Sequence, residues 1–181
     1  MLLRRICYEL GCCLEAQIAH PMKVSRSKMV QREHLDRYIR IAAAQKECGL
    51  ILLFMDSDDN CARELAETVR PWMVEAARRI PSELIVIPRE YEGWFISAME
   101  SLRGVRSIRP DAISSGEPER VRDAKGVITD WMEGSTAYHE SADQAALTQK
   151  VDLQAVRQKC GAFRRLIGKI EQYGAFCPIS S

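Results

Sequence analysis

The chain has 181 residues, of which 46% are hydrophobic and 28% charged, the balance of a soluble globular protein. Its formal net charge is +1, so bulk charge does not mark it as a binder of nucleic acid or membranes, and any such argument depends on local patches. No apolar run approaches the roughly 18 residues of a membrane span, and residues 1–7 do not form a convincing signal peptide, so we expect a cytoplasmic protein without membrane contact.

Strands and helices alternate over the first hundred residues. The pattern predicts helices at 1–12, 30–47, 61–79 and 91–103, strands at 16–19, 50–55 and 83–87, and a basic loop at 20–28. The strand at 50–55 is continuously apolar, which is typical of a strand buried on both faces of a parallel sheet. The alternation therefore predicts an α/β fold in which helices cross over between parallel strands.

After Gly104 the pattern changes. Residues 105–118 are rich in Pro, Ser, Gly and Arg and show little periodicity. Helical segments are predicted at 117–133, 141–148 and 152–172, with a loose end from Gly174. We expect one domain, made of an α/β core over 1–104 and a mostly helical extension over 105–181 that packs on the core.

Aspartates follow the apolar strand at 50–55, in the order Asp56, Ser57, Asp58, Asp59. The carboxyl ends of parallel strands are where open α/β sheets bind ligands. Asp56 and Asp58 are two positions apart, so in an extended segment their side chains leave on the same face. Such a pair repels unless a cation such as Mg²⁺ or Mn²⁺ lies between the carboxylates. The alternative is that Asp58 and Asp59 cap the following helix and Asp56 is solvated.

A second acidic cluster follows the strand at 83–87, on the same predicted edge. Glu90 and Glu92 could add a metal ligand or a general base, and Arg89 could neutralise a phosphate. The alternative is an ordinary helix start, in which acidic residues favour the positive end of the helix dipole and Trp94 and Phe95 pack in the core.

The basic loop carries Lys23, Arg26 and Lys28 among serines. These cations could hold a phosphate backbone beside the metal, or the loop could simply be solvated. The chain has no Ser-His-Asp or Cys-His arrangement and no glycine-rich phosphate loop. Its seven scattered cysteines include no CxxC pair, so we expect reduced thiols and no structural zinc site.

Several blocks of the chain together resemble the DUF4276 family of bacterial proteins. They are residues 20–28, 50–65 and 89–95, followed by Tyr138 and the pair Asp143-Gln144. That family is similar to the TOPRIM domains of topoisomerases, primases and OLD-type nucleases. The resemblance implies a compact TOPRIM-like parallel sheet flanked by helices, with Mg²⁺ or Mn²⁺ on Asp56 and Asp58 and with Asp59 as a third ligand.

One departure from the family pattern concerns the start of the chain. Family members usually begin with a strand and a V-E-G-like turn that holds a further metal-binding glutamate, and neither Glu9 nor Glu15 lies in such a motif. We therefore expect the chain to lack that first strand and its carboxylate. A missing strand leaves an exposed sheet edge, which makes a homodimer an expected assembly.

Two functions follow as expectations. The first is a Mg²⁺-dependent TOPRIM-like nuclease or phosphoryl-transfer protein acting on nucleic acid, with Asp56, Asp58 and Glu92 as catalytic residues and Glu90 in support. Relatives encoded beside AAA-type or SMC-like ATPases imply such a partner and a role in phage defence. The second is a non-catalytic module that binds nucleic acid or a partner ATPase. The sequence leaves open whether the substrate is DNA, RNA or a small phosphate ester.

Overall fold

The computed structural model of the protein describes residues 1–11 and 18–174. Helices and strands follow one another in this order: α1 (Leu2–Glu9), α2 (Arg26–Met29), α3 (Arg32–Ala43), β1 (Ile51–Asp56), α4 (Ala62–Ala77), β2 (Ser82–Ile87), α5 (Gly93–Ile96), α6 (Ala124–Asp130), α7 (Glu140–Lys150), α8 (Leu153–Lys159) and α9 (Gly161–Gly174). Short 3-10 turns lie at Met99–Leu102 and Pro118–Arg120. The protein is thus an α/β protein with many helices, as predicted.

Contacts divide the chain into two compact units. We call residues 19–87 the sheet unit, and residues 1–18 together with 88–181 the helical unit. The predicted boundary at residue 104 marks where the strand–helix alternation stops, which is a different division, and it stays a prediction. Each unit has its own buried core.

The sheet unit is built around a parallel β1–β2 pair. The register runs from Ile51 opposite Ser82 to Asp56 opposite Ile87, and α4 is the helix that connects the two strands. Apolar side chains of β1, β2, α3 and α4 form one buried cluster, which includes Leu35, Val69 and Met73. This arrangement confirms the predicted parallel strands with a crossover helix, and it brings the carboxyl ends of both strands to one edge.

Two predicted segments of the sheet unit differ from the structure. Ile18 and Ala19 belong to no strand, and the rest of the strand predicted at 16–19 lies outside the described residues. The basic loop ends earlier than predicted, because Arg26 begins α2. The helix predicted at 30–47 is α3, which runs only from Arg32 to Ala43.

Two helices predicted in the helical unit are interrupted in the structure. The helix predicted at 91–103 is one α-helical turn, α5, followed by the 3-10 turn, because Ala98 leaves the helical conformation at φ −135° and ψ 37°. Cys160, at φ −111° and ψ 116°, divides the segment predicted at 152–172 into α8 and α9. Aromatic packing holds the unit together, with the rings of Trp94 and Phe163 centred 5.1 Å apart. None of the helices within 1–11 and 18–174 has the length and hydropathy that a transmembrane span requires.

Candidate functional site

The aspartates predicted to bind metal lie at the end of β1 in a turn. Asp56 is the last strand residue, and the N–H of Ser57 continues the ladder by donating to the carbonyl of Ile87 at 2.9 Å. Asp58 then adopts a left-handed conformation at φ +48°, and the N–H of Asn60 donates to the carbonyl of Ser57 at 2.9 Å. Strand alternation therefore does not extend to Asp58, and the argument that placed Asp56 and Asp58 on one face of an extended segment was wrong.

The side chain of Arg26 lies against this turn. As the first residue of α2 it donates from Nε to the carbonyl of Asp56 at 2.9 Å and from Nη2 to the carbonyl of Ser57 at 3.3 Å. The same Nε lies 3.3 Å from Oδ2 of Asp58. Arg26 was predicted to contact phosphate, and in the structure its guanidinium also supplies positive charge to the acidic turn itself.

The other site residues predicted from the sequence differ in their exposure to solvent. Within the described ranges, no group of three or more His, Cys, Asp or Glu side chains is arranged to hold a metal ion. Asp58 and Asp59 are exposed, as are Lys23 and Lys28, whereas Arg89 is half-buried. The roles of Asp56, Asp58 and Asp59 as ligands stay predictions. So do the roles of the four cations as phosphate contacts, namely Lys23, Arg26, Lys28 and Arg89.

Glu92 is the centre of a buried polar cluster in the helical unit. Its side chain is 1% exposed, and its Oε1 accepts hydrogen bonds from the Tyr138 hydroxyl at 2.7 Å and from Nε2 of Gln144 at 3.3 Å. Burial, together with the hydrogen bond to Glu92, raises the pKa of Tyr138, so its hydroxyl stays a proton donor. Three of the motif residues that carry the family resemblance therefore meet here, although 46 and 52 residues separate Glu92 from its two partners.

Glu90 and Lys125 add opposite charges near Glu92. Burial raises the pKa of Glu90, the positive charge of Lys125 works against this, and the Glu92 carboxylate adds to it. The Oε2 atom of Glu90 is buried and has no hydrogen-bond partner among the described residues. Burial alone would lower the pKa of Lys125, but the carboxylates of Glu92, Glu140 and Glu90 together raise it. Nζ of Lys125 lies 3.1 Å from Oε2 of Glu140.

Asp143, the remaining motif residue, organises the start of α7. Its Oδ2 accepts from the backbone N–H of His139 at 2.8 Å and its Oδ1 from Nε of Arg106 at 2.7 Å. Burial would raise the pKa of Asp143, but these two hydrogen bonds hold it below its usual range. Sequence reasoning missed Lys125 and Arg106, because each acts through a contact with a distant segment and neither lies in a recognisable motif.

Comparison with known proteins places the chain in a family. A family model described as a domain of unknown function, DUF4276, matches residues 1–171. No curated protein and no solved structure matches the chain. The match covers the acidic turn and the Glu92 cluster, so both belong to the domain that defines the family. The chain belongs to the DUF4276 family, as its sequence motifs predict.

Proposed function

We propose that the chain is a Mg²⁺- or Mn²⁺-dependent nuclease, similar to TOPRIM nucleases, that hydrolyses phosphodiester bonds of nucleic acid. The observation that carries the proposal is the carboxyl end of β1, where Asp56 closes a buried parallel strand and Asp58 follows in a hydrogen-bonded turn. Open α/β sheets bind their ligands at this end. Membership of the DUF4276 family adds support, because the matched range includes both aspartates.

The donor atoms at this turn fit such an ion. Carboxylate oxygens are hard ligands of the kind that Mg²⁺ and Mn²⁺ prefer. Mg²⁺ is usually held by one or two carboxylates, with water and substrate phosphates at its other positions, so two aspartates suffice. The side chain of Asp58 is 54% exposed and can be reached from solvent. Asp59, which is also exposed, would act as an additional ligand.

In the proposed reaction, some residues of the chain supply charge and others hold the site in position. A bound ion would polarise the phosphoryl oxygen and stabilise the charge that develops during hydrolysis. Arg26 holds the turn through two backbone carbonyls, and its guanidinium has five N–H donors, so it can contact phosphate as well. Lys23 and Lys28 would bind neighbouring phosphates electrostatically, with Arg89 as a further phosphate contact. The burial of Glu92 favours a positioning role for this residue over direct proton transfer.

A plasmid-nicking assay tests the proposal. Wild type, Asp56→Asn and Asp58→Asn are incubated with supercoiled DNA and Mg²⁺ or Mn²⁺. We expect each variant to lose activity on the order of a hundredfold, because a ligand charge is removed. Asparagine tolerates the left-handed conformation at position 58, so that variant changes charge more than backbone. Asp130→Asn, an exposed position at the end of α6, is the control that should keep full activity. Equal nicking by all four proteins would identify a contaminating nuclease and contradict the proposal.

The ion pair between Arg26 and Asp58 favours a second candidate function, a non-catalytic module that binds nucleic acid or an ATPase partner. An internal guanidinium already balances one carboxylate of the turn, which reduces the need for a metal ion. Titration calorimetry with Mn²⁺ separates the two functions. Heat of binding that disappears in Asp56→Asn supports the nuclease, whereas no heat together with DNA binding in EDTA supports the module.

The family resemblance extends the proposal to biological context. We infer a role in phage defence, together with an AAA-type or SMC-like ATPase, and a homodimer as the working assembly. Plaque counts with and without the gene test the defence role. Light scattering of the purified chain tests the dimer, and co-purification with an ATPase encoded beside the gene tests the partner. Unchanged plaque counts would contradict the defence role, and a monomeric mass would contradict the dimer. Purification of the chain without an ATPase would contradict the proposed partner.

A further inference from the structure

Positive side chains are concentrated on the last two helices of the helical unit. Residues 157–170 contain five cationic side chains and no carboxylate, although the whole chain is nearly balanced at 26 basic and 25 acidic residues. These five residues, which we call the basic ridge, are Arg157, Lys159, Arg164, Arg165 and Lys169. Nη2 of Arg157 lies 3.2 Å from Oε1 of Glu171, which offsets one of the five charges. The remaining four still make the ridge more basic than the nearly neutral chain.

The amphipathic sequence of α9 determines which face carries the ridge. One side of the helix packs in the core, through the side chains of Ala162, Phe163, Leu166, Ile167 and Ile170. With 3.6 residues per turn, the opposite side presents Arg164, Arg165 and Gly168, all of which are exposed. Because the apolar side of α9 is buried, the two arginines and the glycine on its opposite side face solvent.

The guanidiniums of Arg164 and Arg165 lie near each other at the junction of α8 and α9. Nη1 of Arg164 donates to the carbonyls of Arg157 at 3.1 Å and Gln158 at 2.8 Å, near the end of α8. A Cβ atom placed on Gly161 would lie 3.5 Å from Nη1 of Arg165, 3.7 Å from Nη2 of Arg164 and 3.3 Å from Oε2 of Glu119. Two guanidiniums and one carboxylate therefore converge at this point, which leaves a net positive charge.

Other features of the ridge are not explained by contacts within the chain. Lys159 and Arg165 are exposed and make no hydrogen bond or ion pair with any residue in 1–11 or 18–174. Gly168 lies within α9, and a Cβ added to it would meet nothing within 4 Å, so packing does not require glycine there. Glycine is unfavourable inside a helix. Its absent side chain allows the backbone of a partner to approach the helix closely.

We propose that the basic ridge binds the phosphodiester backbone of nucleic acid and anchors it independently of base sequence. A polyanion with closely spaced phosphates is attracted to a cluster of cations, and guanidinium groups bind phosphate oxygens in a bidentate manner. Contacts to phosphates carry no sequence information. The inference rests on the proposed function in choosing nucleic acid among polyanions, and it assigns the helical unit a substrate-binding surface of its own.

The salt dependence of DNA binding tests the inference. Binding of a labelled duplex is measured by fluorescence anisotropy in EDTA, so that cleavage plays no part. In Lys159→Gln/Arg165→Gln, we expect weaker binding and a plot of log K against log salt that is flatter by about two, one unit per lost phosphate contact. Arg37→Gln/Arg63→Gln removes two exposed cations from the sheet unit, causes the same change of net charge and should keep the wild-type slope. An unchanged slope in the ridge variant, or equal losses in both variants, overturns the inference.

Substitution of Gly168 provides a second test in which the fold is preserved. Gly168→Glu and Gly168→Gln have the same size, fit the open position and should melt no lower than wild type. We expect the glutamate variant alone to flatten the salt slope by about one, because its carboxylate cancels about one phosphate contact. Equal DNA binding by these two variants refutes the inference. Binding of wild type to vesicles that contain phosphatidylserine, without binding to DNA, refutes it as well. DNA binding that depends on the ridge, without plasmid nicking, would contradict the proposed nuclease activity but would still support the proposed role of the ridge.

Discussion

Replacing Tyr138 by phenylalanine tests whether the Glu92 cluster stabilises the helical unit. The change removes the hydroxyl that donates to Oε1 of Glu92 at 2.7 Å and leaves Gln144 as the remaining donor at 3.3 Å. Hydrogen bonds to charged groups contribute about 1.5–3 kcal/mol. Because Glu92 is 1% exposed, water is poorly placed to replace the lost donor. We therefore expect Tyr138→Phe to lower the free energy of unfolding by about 2 kcal/mol.

Thermal unfolding followed by circular dichroism measures this effect. For a chain of this size, 1 kcal/mol corresponds to about 2–4 °C in Tm, so the expected decrease is roughly 4–8 °C. Tyr8→Phe is the matched control, because Tyr8 is 77% exposed and the chemical change is the same. The control should stay within about 0.5 kcal/mol of wild type. If the two variants melt at the same temperature, the Glu92 cluster does not stabilise the fold and the reasoning is refuted.

Other expectations concern titration, thiol reactivity and packing. Since burial raises the pKa of Glu90, the folded state binds its proton more tightly than the unfolded state, and stability declines as pH rises above the ordinary value of 4.5. The Tm of Glu90→Gln should therefore be higher than that of wild type at pH 8 and equal to it at pH 3. Equal Tm values at pH 8 would contradict this expectation. Burial raises the pKa of Cys160 to about 11, whereas Cys61 is exposed. Iodoacetamide at pH 8 should label Cys61 in the native protein and Cys160 only after denaturation, as peptide mass spectrometry would report; native labelling of Cys160 would exclude the buried position. Leu35→Ala should lower the free energy of unfolding in urea by about 2–5 kcal/mol because Leu35 is fully buried, and a loss below 1 kcal/mol would contradict its place in the core.

The sequence predicts those elements whose signals are local. The apolar run of β1 and the short apolar run of β2 each identify a strand without knowledge of their neighbours, and the connecting helix follows from its length. The helix predicted at 91–103 was too long, because Trp94, Phe95 and Met99 are all buried, as they would be in a helix, although the backbone breaks at Ala98. Burial pattern alone does not report such a break.

The candidate site also has features that follow from the local sequence and features that depend on distant residues. Proximity of Asp56 and Asp58 follows from sequence, because they are separated by one residue. The left-handed conformation of Asp58 and the contacts of Arg26 depend on a turn and on a residue 30 positions away, and neither follows from composition. The Glu92 cluster could be anticipated only in part, since the family motifs include Glu92, Tyr138 and Gln144 but do not indicate that the side chains of Tyr138 and Gln144 donate to Glu92.

The helical unit is discontinuous in sequence, and this has a consequence for synthesis on the ribosome. The guanidinium of Arg5 in α1 donates to the carbonyls of Thr148 at 3.0 Å and Val151 at 2.6 Å, which lie 143 and 146 residues further along the chain. At 5–20 residues per second, the first helix leaves the ribosome on the order of 10 s before its acceptors are made. The sheet unit is contiguous over 19–87 and can close during that interval. Nascent α1 therefore leaves the ribosome with Ile6 and Cys7 still exposed, and these side chains can be buried only after the later helices of the unit have been made.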